Sequence, residues 1–215
     1  LITAGLIFGG GALFALLEWN NPGTIGSFST GGKLLAALFQ SVTLRTAGFA
    51  SFNQDALTEA SKLLSNILMF VGGSSGSTAG GVKTVTMGLV VLSAVSTMRG
   101  RRQVTVFRRS ISQQDISNAV SVALLVLGLS LFGAAVLTVC DRCSFLNAIY
   151  ETTSALCTVG LTTGITGTLC AASKLILIVF MFFGRVGIMT IGVGFMMGDR
   201  ARERVQYAET KVMIG

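Results

Sequence analysis

Two short polar segments interrupt an otherwise apolar chain, and each is centred on a glycine. They read SVTLRTAGFAS around Gly48 and SALCTVGLTTG around Gly160. Backbone carbonyl groups can coordinate a dehydrated monovalent cation without a fixed charge, and glycine allows carbonyl orientations that other residues disfavour. Hydroxyl groups lie nearby at Thr46, Thr158 and Thr162, and no carboxylate cluster accompanies either glycine. A single such turn is typical of an outer loop, whereas two equivalent ones favour a carbonyl-lined cation path.

The two glycines lie 112 positions apart, and the same offset relates residues on either side of them. It aligns the triplet Ser-Lys-Leu that begins at Ser61 with the triplet that begins at Ser173, without a gap. The further aligned pairs are Leu44 and Leu156, Thr46 and Thr158, Phe70 and Phe182, and Gly72 and Gly184. The chain is therefore predicted to contain two tandem repeats, each a helix, a short pore helix, a glycine turn and a second helix.

The pore helices are predicted over residues 32–43 and 144–156, which are too short to cross a bilayer. The C-terminal end of each helix dipole points at its glycine turn, and its partial negative charge favours a cation there. Non-helical backbone is tolerated inside a membrane only where it is buried in protein or faces water. Two re-entrant helices followed by extended turns therefore predict an aqueous path.

The composition is that of an integral membrane protein with an all-α fold. Hydrophobic residues make up 51% of the 215 residues and charged residues 12%, against about 25% charged in a soluble domain. The mean hydropathy is +0.74. Apolar stretches near the roughly 20 residues that a span needs occur at Leu1–Leu17, Leu63–Met98, Ala119–Val139 and Leu175–Met197. The first stretch has neither a basic leader nor a small-residue cleavage site, so it is not interpreted as a signal peptide.

The distribution of the net charge of +7 predicts topology rather than a nucleic-acid partner. Arginines crowd the linker 99–118, and further basic residues occur in the tail 199–215. Basic residues beside spans mark the cytoplasmic face of the plasma membrane. The linker and both ends of the chain are therefore expected inside, with the glycine turns outside. The repeats occupy 1–98 and 119–198.

Residues for enzyme chemistry or an organic cofactor are scarce. The chain has no histidine, and its carboxylates are scattered. Cys140 and Cys143 form one C-x-x-C on the predicted outer side with Cys170, but no second pair completes a zinc pattern. A disulfide is favoured over a metal site there, and Cys157 is interpreted as a packing residue. A membrane enzyme with re-entrant loops remains an alternative without a supporting constellation.

The glycine segment, defined here as residues 71–83 with the sequence VGGSSGSTAGGVK, interrupts the second apolar stretch. Five glycines at about 1 kcal/mol each make a continuous helix unfavourable. Pliable polar backbone at this depth is typical of a gate beneath a filter. Two alternatives stay open. Small residues allow close helix packing, and glycine runs form phosphate loops, although the spacing of a phosphate loop fails here.

Arg185, in FFGRVG, places a charge in an apolar span at a cost of at least about 2.5–3.5 kcal/mol. By the repeat offset it aligns with Gly73 of the glycine segment. It is expected either to repel cations or hold the segment through carbonyls, or to pair with a carboxylate such as Glu151. Lys83 is a second candidate for the gate, although snorkelling to the inner surface explains it equally well.

Four motifs occurring in order, TLRTAGF, GGSSGSTAGGVKT, CTVGLTTGIT and FFGRVGIMTIG, resemble the Trk/Ktr/HKT superfamily of potassium transporters. The nearest resemblance is to the membrane subunits of bacterial Ktr systems. The resemblance implies a pore of four helix–pore-helix–helix units, of which this chain holds two, identified as the third and fourth. The pattern is therefore half complete, and the abrupt start at Leu1 favours a fragment of a longer subunit.

The resemblance assigns roles residue by residue. The two filter strands would be Thr46, Ala47, Gly48 and Phe49, and Thr158, Val159, Gly160 and Leu161. Potassium would be coordinated by the backbone carbonyls of Thr46, Ala47, Gly48, Thr158, Val159 and Gly160. The gate would comprise Gly72, Gly73, Ser74, Ser75, Gly76, Ser77, Thr78, Gly80, Gly81 and Arg185. Arg45 resembles a family arginine, and its fork-shaped head is suited to bracing the first turn by binding carbonyls.

The resemblance also implies partners. It predicts a homodimer of the full subunit, resting on a cytoplasmic nucleotide-binding regulatory ring and surrounded by membrane lipids. The basic linker and tail face the correct side for that ring, although anionic lipid alone also explains them. The leading interpretation is potassium translocation down its gradient. A non-conducting membrane assembly subunit is the principal alternative.

Overall fold

A computed structural model of the chain describes residues 2–74, 76–77, 79–100, 104–106 and 109–187. This part is helical, apart from one small antiparallel hairpin in the basic linker, which confirms the all-α prediction. Its α-helices are α1 (Ile2–Glu18), α2 (Thr30–Thr43), α3 (Glu59–Phe70), α4 (Thr84–Met98), α5 (Gln113–Asp141), α6 (Phe145–Leu156) and α7 (Ala171–Val186). The hairpin strands are β1 (Thr105–Val106) and β2 (Arg109–Ser110), and single 3₁₀ turns occur at Gln54–Ala56 and Ile165–Gly167.

The first helix of each half packs against the short helix and against the helix that follows the glycine turn. Helix α1 lies against α2 and α3, and helix α5 lies against α6 and α7. The halves meet where α3 packs on α6 and where α4 packs on α5. Helix α6 is almost wholly enclosed, since every residue from Tyr150 to Leu156 is buried. The second short helix therefore forms the centre of the fold.

The distribution of polar and apolar groups is inverted relative to a water-soluble protein. Polar side chains at Glu18, Gln40 and Gln54 are at most 2% exposed, whereas Leu16 is 77% exposed and Phe132 is 62% exposed. Of the described helices, α5 is long and apolar enough to cross a bilayer, and α1 and α4 are shorter apolar helices. Apolar surface facing outward is stable when the surrounding solvent is lipid.

The glycine segment separates α3 from α4. Helix α3 ends at Phe70, and helical backbone resumes at Thr84. A parallel bridge between Val71 and Val82 closes the base of the segment, where the Gly72 amide donates to the Val82 carbonyl at 2.8 Å. The stretch 63–98 is therefore two helices joined by an excursion of irregular backbone, because its glycines disfavour helix.

A carboxylate at the end of the first helix fixes the start of the helix that follows the glycine turn in each half. Thr58 precedes α3, and its amide donates to Glu18 at the end of α1 at 3.0 Å. Cys170 precedes α7, and its amide donates to Asp141 at the end of α5 at 2.6 Å. Thr58 and Cys170 are separated by the same 112 positions as the two turn glycines. Helices α1 and α5 thus cap the amino termini of α3 and α7, where a negative charge is favoured.

Candidate ion pathway

The two glycine turns adopt the same unusual backbone conformation. In the first turn, φ is +70° at Thr46 and +78° at Gly48. In the second, φ is +56° at Thr158 and +90° at Gly160. A left-handed conformation is readily adopted by glycine but is strained for a β-branched residue such as threonine. Both turns are therefore held in place by their surroundings rather than by local preference.

Hydroxyl groups at the ends of the pore helices hold these turns. In the first turn, Thr43 Oγ1 donates to the Phe49 carbonyl at 2.6 Å and accepts from the Phe49 amide at 2.8 Å. In the second, Ser154 Oγ donates to the Leu161 carbonyl at 2.6 Å. Phe49 and Leu161 each directly follow a turn glycine. Each short helix therefore ends in a side chain that clamps the backbone just beyond the glycine.

The two turns also contact each other through their backbones. A Cβ atom added to Gly48 would collide with the carbonyl oxygen of Val159, and one added to Gly160 would lie 4.0 Å from the Cα of Gly48. Val159 and Leu161 are buried, whereas Ala47 and Gly160 are exposed. The main chains of the two turns thus lie in contact, and the exposed face of this contact includes Ala47 and Gly160.

The glycine segment lies against both turns. Arg45, just ahead of the first turn, donates from Nη2 to the Gly72 carbonyl at 2.9 Å. Thr158, in the second turn, accepts from the Gly80 amide at 3.1 Å. The sequence interpretation placed Arg45 as a brace of its own turn. Its hydrogen bond instead reaches the glycine segment.

Lys83 folds back on the glycine segment rather than extending away from it. Its Nζ donates to the Ser77 carbonyl at 3.0 Å and also to the Ala79 carbonyl. The Ser77 hydroxyl donates to the Ser74 carbonyl at 2.6 Å. Gly73 and Gly76 belong to the same excursion, while Ser75 and Thr78 lie outside the described residues. The segment therefore carries its own internal hydrogen bonds around the ammonium group of Lys83.

Arg185 lies in the last turn of α7, beside two cavities. One cavity of about 910 Å³ is also lined by Gly80, Gly81 and Lys83 of the glycine segment, together with Asp115. The other, of about 520 Å³, is lined by Thr158, Gly160 and Glu151 among others. Arg185 is exposed and borders both cavities. The arginine thus lies between the space beside the second turn and the space beside the glycine segment.

Glu151 supports the chain that follows the second turn, a role the sequence interpretation missed. Its carboxylate is 5% exposed. Oε1 accepts from the Thr162 hydroxyl at 2.6 Å and from the Thr163 amide at 2.8 Å and hydroxyl at 3.1 Å, and Oε2 accepts from the Thr166 hydroxyl at 2.7 Å. The signal in the sequence is a carboxylate in an apolar short helix, followed by three threonines within the five residues 162–166.

A second missed feature is a buried polar cluster joining the two halves. Gln40 of α2 donates to Gln54 Oε1 at 2.6 Å, and the Tyr150 hydroxyl of α6 donates to the same oxygen at 3.1 Å. Nearby, Lys62 of α3 donates to Asn147 of α6 at 3.0 Å. Gln54 thus links the short helices α2 and α6, a connection that sequence periodicity does not reveal.

The cysteine prediction was wrong in one respect, because all four cysteines are free thiols. Arg142 adopts a left-handed conformation, with φ of +52°, and ends α5 between the two cysteines of the C-x-x-C. The Cys143 sulfur then faces the Leu137 carbonyl, and the Cys170 sulfur faces Asp141 and Ser173. Cys157 is fully buried. In the described part of the chain, no group of three or more metal-ligating side chains is present.

These features define a class of protein: a helical membrane protein with an inverted distribution of polarity and two glycine turns that follow short helices. Residues 5–202 match the family model TrkH, described as cation transport protein. The chain therefore belongs to the TrkH family of cation transport proteins. Its membrane location and the resemblance seen in its motifs are thereby confirmed, and the family is one of transporters rather than enzymes.

Curated relatives and a solved structure agree with this assignment. The chain is 38% identical over 200 residues to Ktr system potassium uptake protein B of Bacillus subtilis, covering 93% of this chain and 44% of that one. It is 36% identical to the potassium/sodium uptake protein NtpJ of Enterococcus hirae, covering 100% and 48%. The crystal structure of the potassium transporter TrkH from Vibrio parahaemolyticus has the same fold, with a TM-score of 0.74 at 21% identity, covering 89% and 42%. The chain spans just under half the length of these proteins.

Proposed function

We propose that this chain provides two of the filter turns of a potassium-translocating pore. The observation that carries this proposal is the shared left-handed geometry at Thr46 and Gly48 and at Thr158 and Gly160, in two turns that touch. Backbone strained alike at two equivalent places is expected where a geometry is functionally required. Relatives named as potassium uptake proteins support potassium as the transported ion.

The chemistry of the filter follows from the main chain. A monovalent cation that loses its hydration shell needs several oxygen ligands, which backbone carbonyls supply without fixed charge. The six carbonyls predicted for this role are those of residues 46–48 and 158–160. Helices α2 and α6 end at these turns, so their partial negative termini favour a cation there. Two turns cannot encircle an ion, and we infer that equivalent turns outside this chain, or in a second copy, complete the ring.

We further infer that the glycine segment and Arg185 form the gate. The segment is irregular backbone, partly exposed, and it lies directly against the second filter turn at Thr158. Arg185 borders the same cavity as Gly80 and Gly81, so its charge acts on any cation that enters this space. A rearrangement of the segment would alter both the width and the charge of the exit from the filter.

The regulatory ring and the homodimer remain proposals that rest on the resemblance. The hairpin of β1 and β2 orders part of the basic linker on the predicted cytoplasmic side. The sequence of this linker suits an acidic protein partner or anionic lipid, since clustered basic residues attract either. The two candidates are distinguished by copurification of the complete parent chain with a cytoplasmic nucleotide-binding protein. Loss of copurification when the linker arginines are replaced would favour the protein partner over anionic lipid.

The test of the filter is ion flux through the complete parent chain in liposomes. We expect potassium-selective flux that loses selectivity, or falls about tenfold or more, in Gly48→Ser and Gly160→Ser. Gly100→Ser is the matched control, because Gly100 also has a positive φ of +65° but has open space around it and lies at the linker. Mutant flux equal to that of a conducting parent would show that the two turns do not form the filter, whereas no flux through the parent itself would identify a non-conducting assembly subunit.

A further inference from the structure

We propose that Arg45 and Thr158 are positioning residues that suspend the glycine segment from the two filter turns, so that gating and filter geometry are coupled. This inference rests on the proposed function, since it takes the turns as the filter. It adds a physical link between filter and gate that has one attachment in each repeat.

The first attachment is the hydrogen bond from Arg45 Nη2 to the Gly72 carbonyl at 2.9 Å. Arg45 directly precedes the left-handed Thr46, and its own amide donates to the Val42 carbonyl at the end of α2 at 3.0 Å. Hydrogen bonds from a charged donor are roughly twice as strong as neutral ones. The guanidinium therefore connects the first filter turn to the beginning of the segment with a strong directional contact.

Arg45 is incompletely satisfied in this position. Its other terminal nitrogen, Nη1, is buried and has no hydrogen-bond partner in the described part of the chain. A buried donor that lacks a partner is unfavourable, and carbonyls of a glycine-rich backbone are available acceptors if the segment shifts. Arg45 therefore holds the segment while one of its own donors stays without an acceptor. An attachment whose hydrogen bonding is incomplete is suited to release during gating.

The second attachment is the hydrogen bond from the Gly80 amide to Thr158 Oγ1 at 3.1 Å. The contact is close, because a Cβ added to Gly80 would lie 2.7 Å from the Cys157 carbonyl oxygen and would collide with Thr158 Oγ1. Thr158 is the strained filter residue whose φ is +56°. Movement of Gly80 therefore acts directly on a residue whose backbone geometry depends on its surroundings.

The two attachments lie at opposite ends of one excursion. Gly72 lies beside the bridge that closes the base of the segment, and Gly80 lies near its return. Between them, Ser74, Gly76 and Ser77 are exposed. The internal hydrogen bonds of Lys83 and Ser77 let the described part of the segment move as one body, so its position depends on both attachments. Loss of either contact is therefore expected to increase the exposure of the segment and to relax the filter.

The experiment measures the position of the segment and the selectivity of the filter in the same protein. Ser77→Cys is introduced into the complete parent chain, and its modification by a charged methanethiosulfonate reagent is followed in inside-out membrane vesicles. The parent without the new cysteine corrects for the native thiols. Arg45→Gln and Thr158→Val each remove one attachment while preserving much of the side-chain volume. Arg142→Gln, at an exposed outer position, and Thr158→Ser, which keeps the hydroxyl, are the matched controls for modification rate.

We expect about tenfold faster modification in Arg45→Gln and Thr158→Val than in their controls, as for the loss of one strong hydrogen bond. The potassium-to-sodium flux ratio should fall in the same two variants. Equal modification rates in variants and controls would overturn the coupling, as would faster modification with an unchanged flux ratio. If Arg45→Gln does not fold, Thr158→Val against Thr158→Ser decides alone. A null result here, while Gly48→Ser still abolishes selectivity, would reject the suspension and leave the filter proposal standing.

Discussion

The Thr58 amide donates to Glu18 at 3.0 Å, and the equivalent amide of Cys170 donates to Asp141 at 2.6 Å. The two donors share the offset that relates Gly48 and Gly160. The two carboxylates do not, because the connection from the first helix to the short helix is longer in the first half. A capping carboxylate at the end of the first helix fixes the start of the helix that follows each glycine turn. Each short helix and its turn thus lie in the chain between two helices whose ends are joined.

Replacing the buried Glu18 by glutamine should destabilise the fold. Glu18 is 1% exposed and accepts hydrogen bonds from Asn21, Thr24 and Thr58. In glutamine, the amide NH2 group would replace one accepting oxygen and would face these donors. We expect a loss of about 1–3 kcal/mol in the free energy of unfolding, seen as a lower midpoint in thermal unfolding of detergent-solubilised protein. Asp141→Asn should act in the same direction. Glu59→Gln, an exposed control, should change the midpoint little, and an equal shift in all three variants would contradict the bracing role.

Glu151→Gln should impair selectivity more than stability. The carboxylate accepts from Thr162, Thr163 and Thr166, which follow the proposed filter strand. An amide nitrogen in place of one oxygen would face a donor and release part of that strand. We expect the potassium-to-sodium flux ratio to fall about tenfold, equivalent to about 1.4 kcal/mol of differential binding. A variant that unfolds with the same midpoint and conducts with unchanged selectivity would show that the threonines need no carboxylate.

Two glycine-to-alanine changes in helices should have opposite effects. A Cβ at Gly184 in α7 would collide with the Leu156 carbonyl and lie 2.9 Å from Thr158 Cγ2, so α7 would have to move away from the second turn. We expect a loss of about 1–3 kcal/mol and reduced flux for Gly184→Ala. Gly128 in α5 has open space around it, and alanine there should be neutral or stabilise the helix by up to about 1 kcal/mol. Thermal unfolding and ion flux of the two variants test the close approach of α7 to the second turn. Equal midpoints and equal flux in the two variants would disprove that approach.

The free thiols provide a test of topology. Cys140 and Cys170 are exposed and lie on the predicted outer side, so an impermeant maleimide added to intact cells should label both. Burial raises the pKa of the Cys143 thiol, so its reactive thiolate is scarcer at neutral pH. The labelling of Cys143 at neutral pH should therefore be slower than that of an ordinary thiol. Its labelling rate should rise with pH over a higher pH range. Cysteine-to-serine variants assign each signal, and labelling that requires permeabilised cells would reverse the predicted orientation.

The features that sequence predicted are those encoded locally. A glycine run cannot sustain a helix, so the interruption between α3 and α4 is evident from composition. The short helices are similarly local, and α2 begins at Thr30, two residues before the predicted start. The left-handed turns follow from Gly48 and Gly160, because glycine marks positions where other residues are strained.

The contacts that sequence did not predict join distant residues or depend on the path of a single loop. The reach of Arg45 to Gly72 spans 27 positions, and that of Tyr150 to Gln54 spans 96. No periodicity encodes such pairs, since they depend on how the helices pack. The cysteine interpretation failed for a smaller reason. Spacing alone cannot tell that Arg142 turns left-handed and directs the Cys143 sulfur away from its neighbour.

The contact between the two glycine turns involves main-chain atoms, with Gly48 against the carbonyl of Val159. Substitution of a side chain leaves such a contact chemically unchanged. The two turns accordingly differ at Arg45 and Cys157 and at Phe49 and Leu161, while they keep one geometry. A contact made of main chain thus leaves the side chains beside it free to serve different tasks in the two turns.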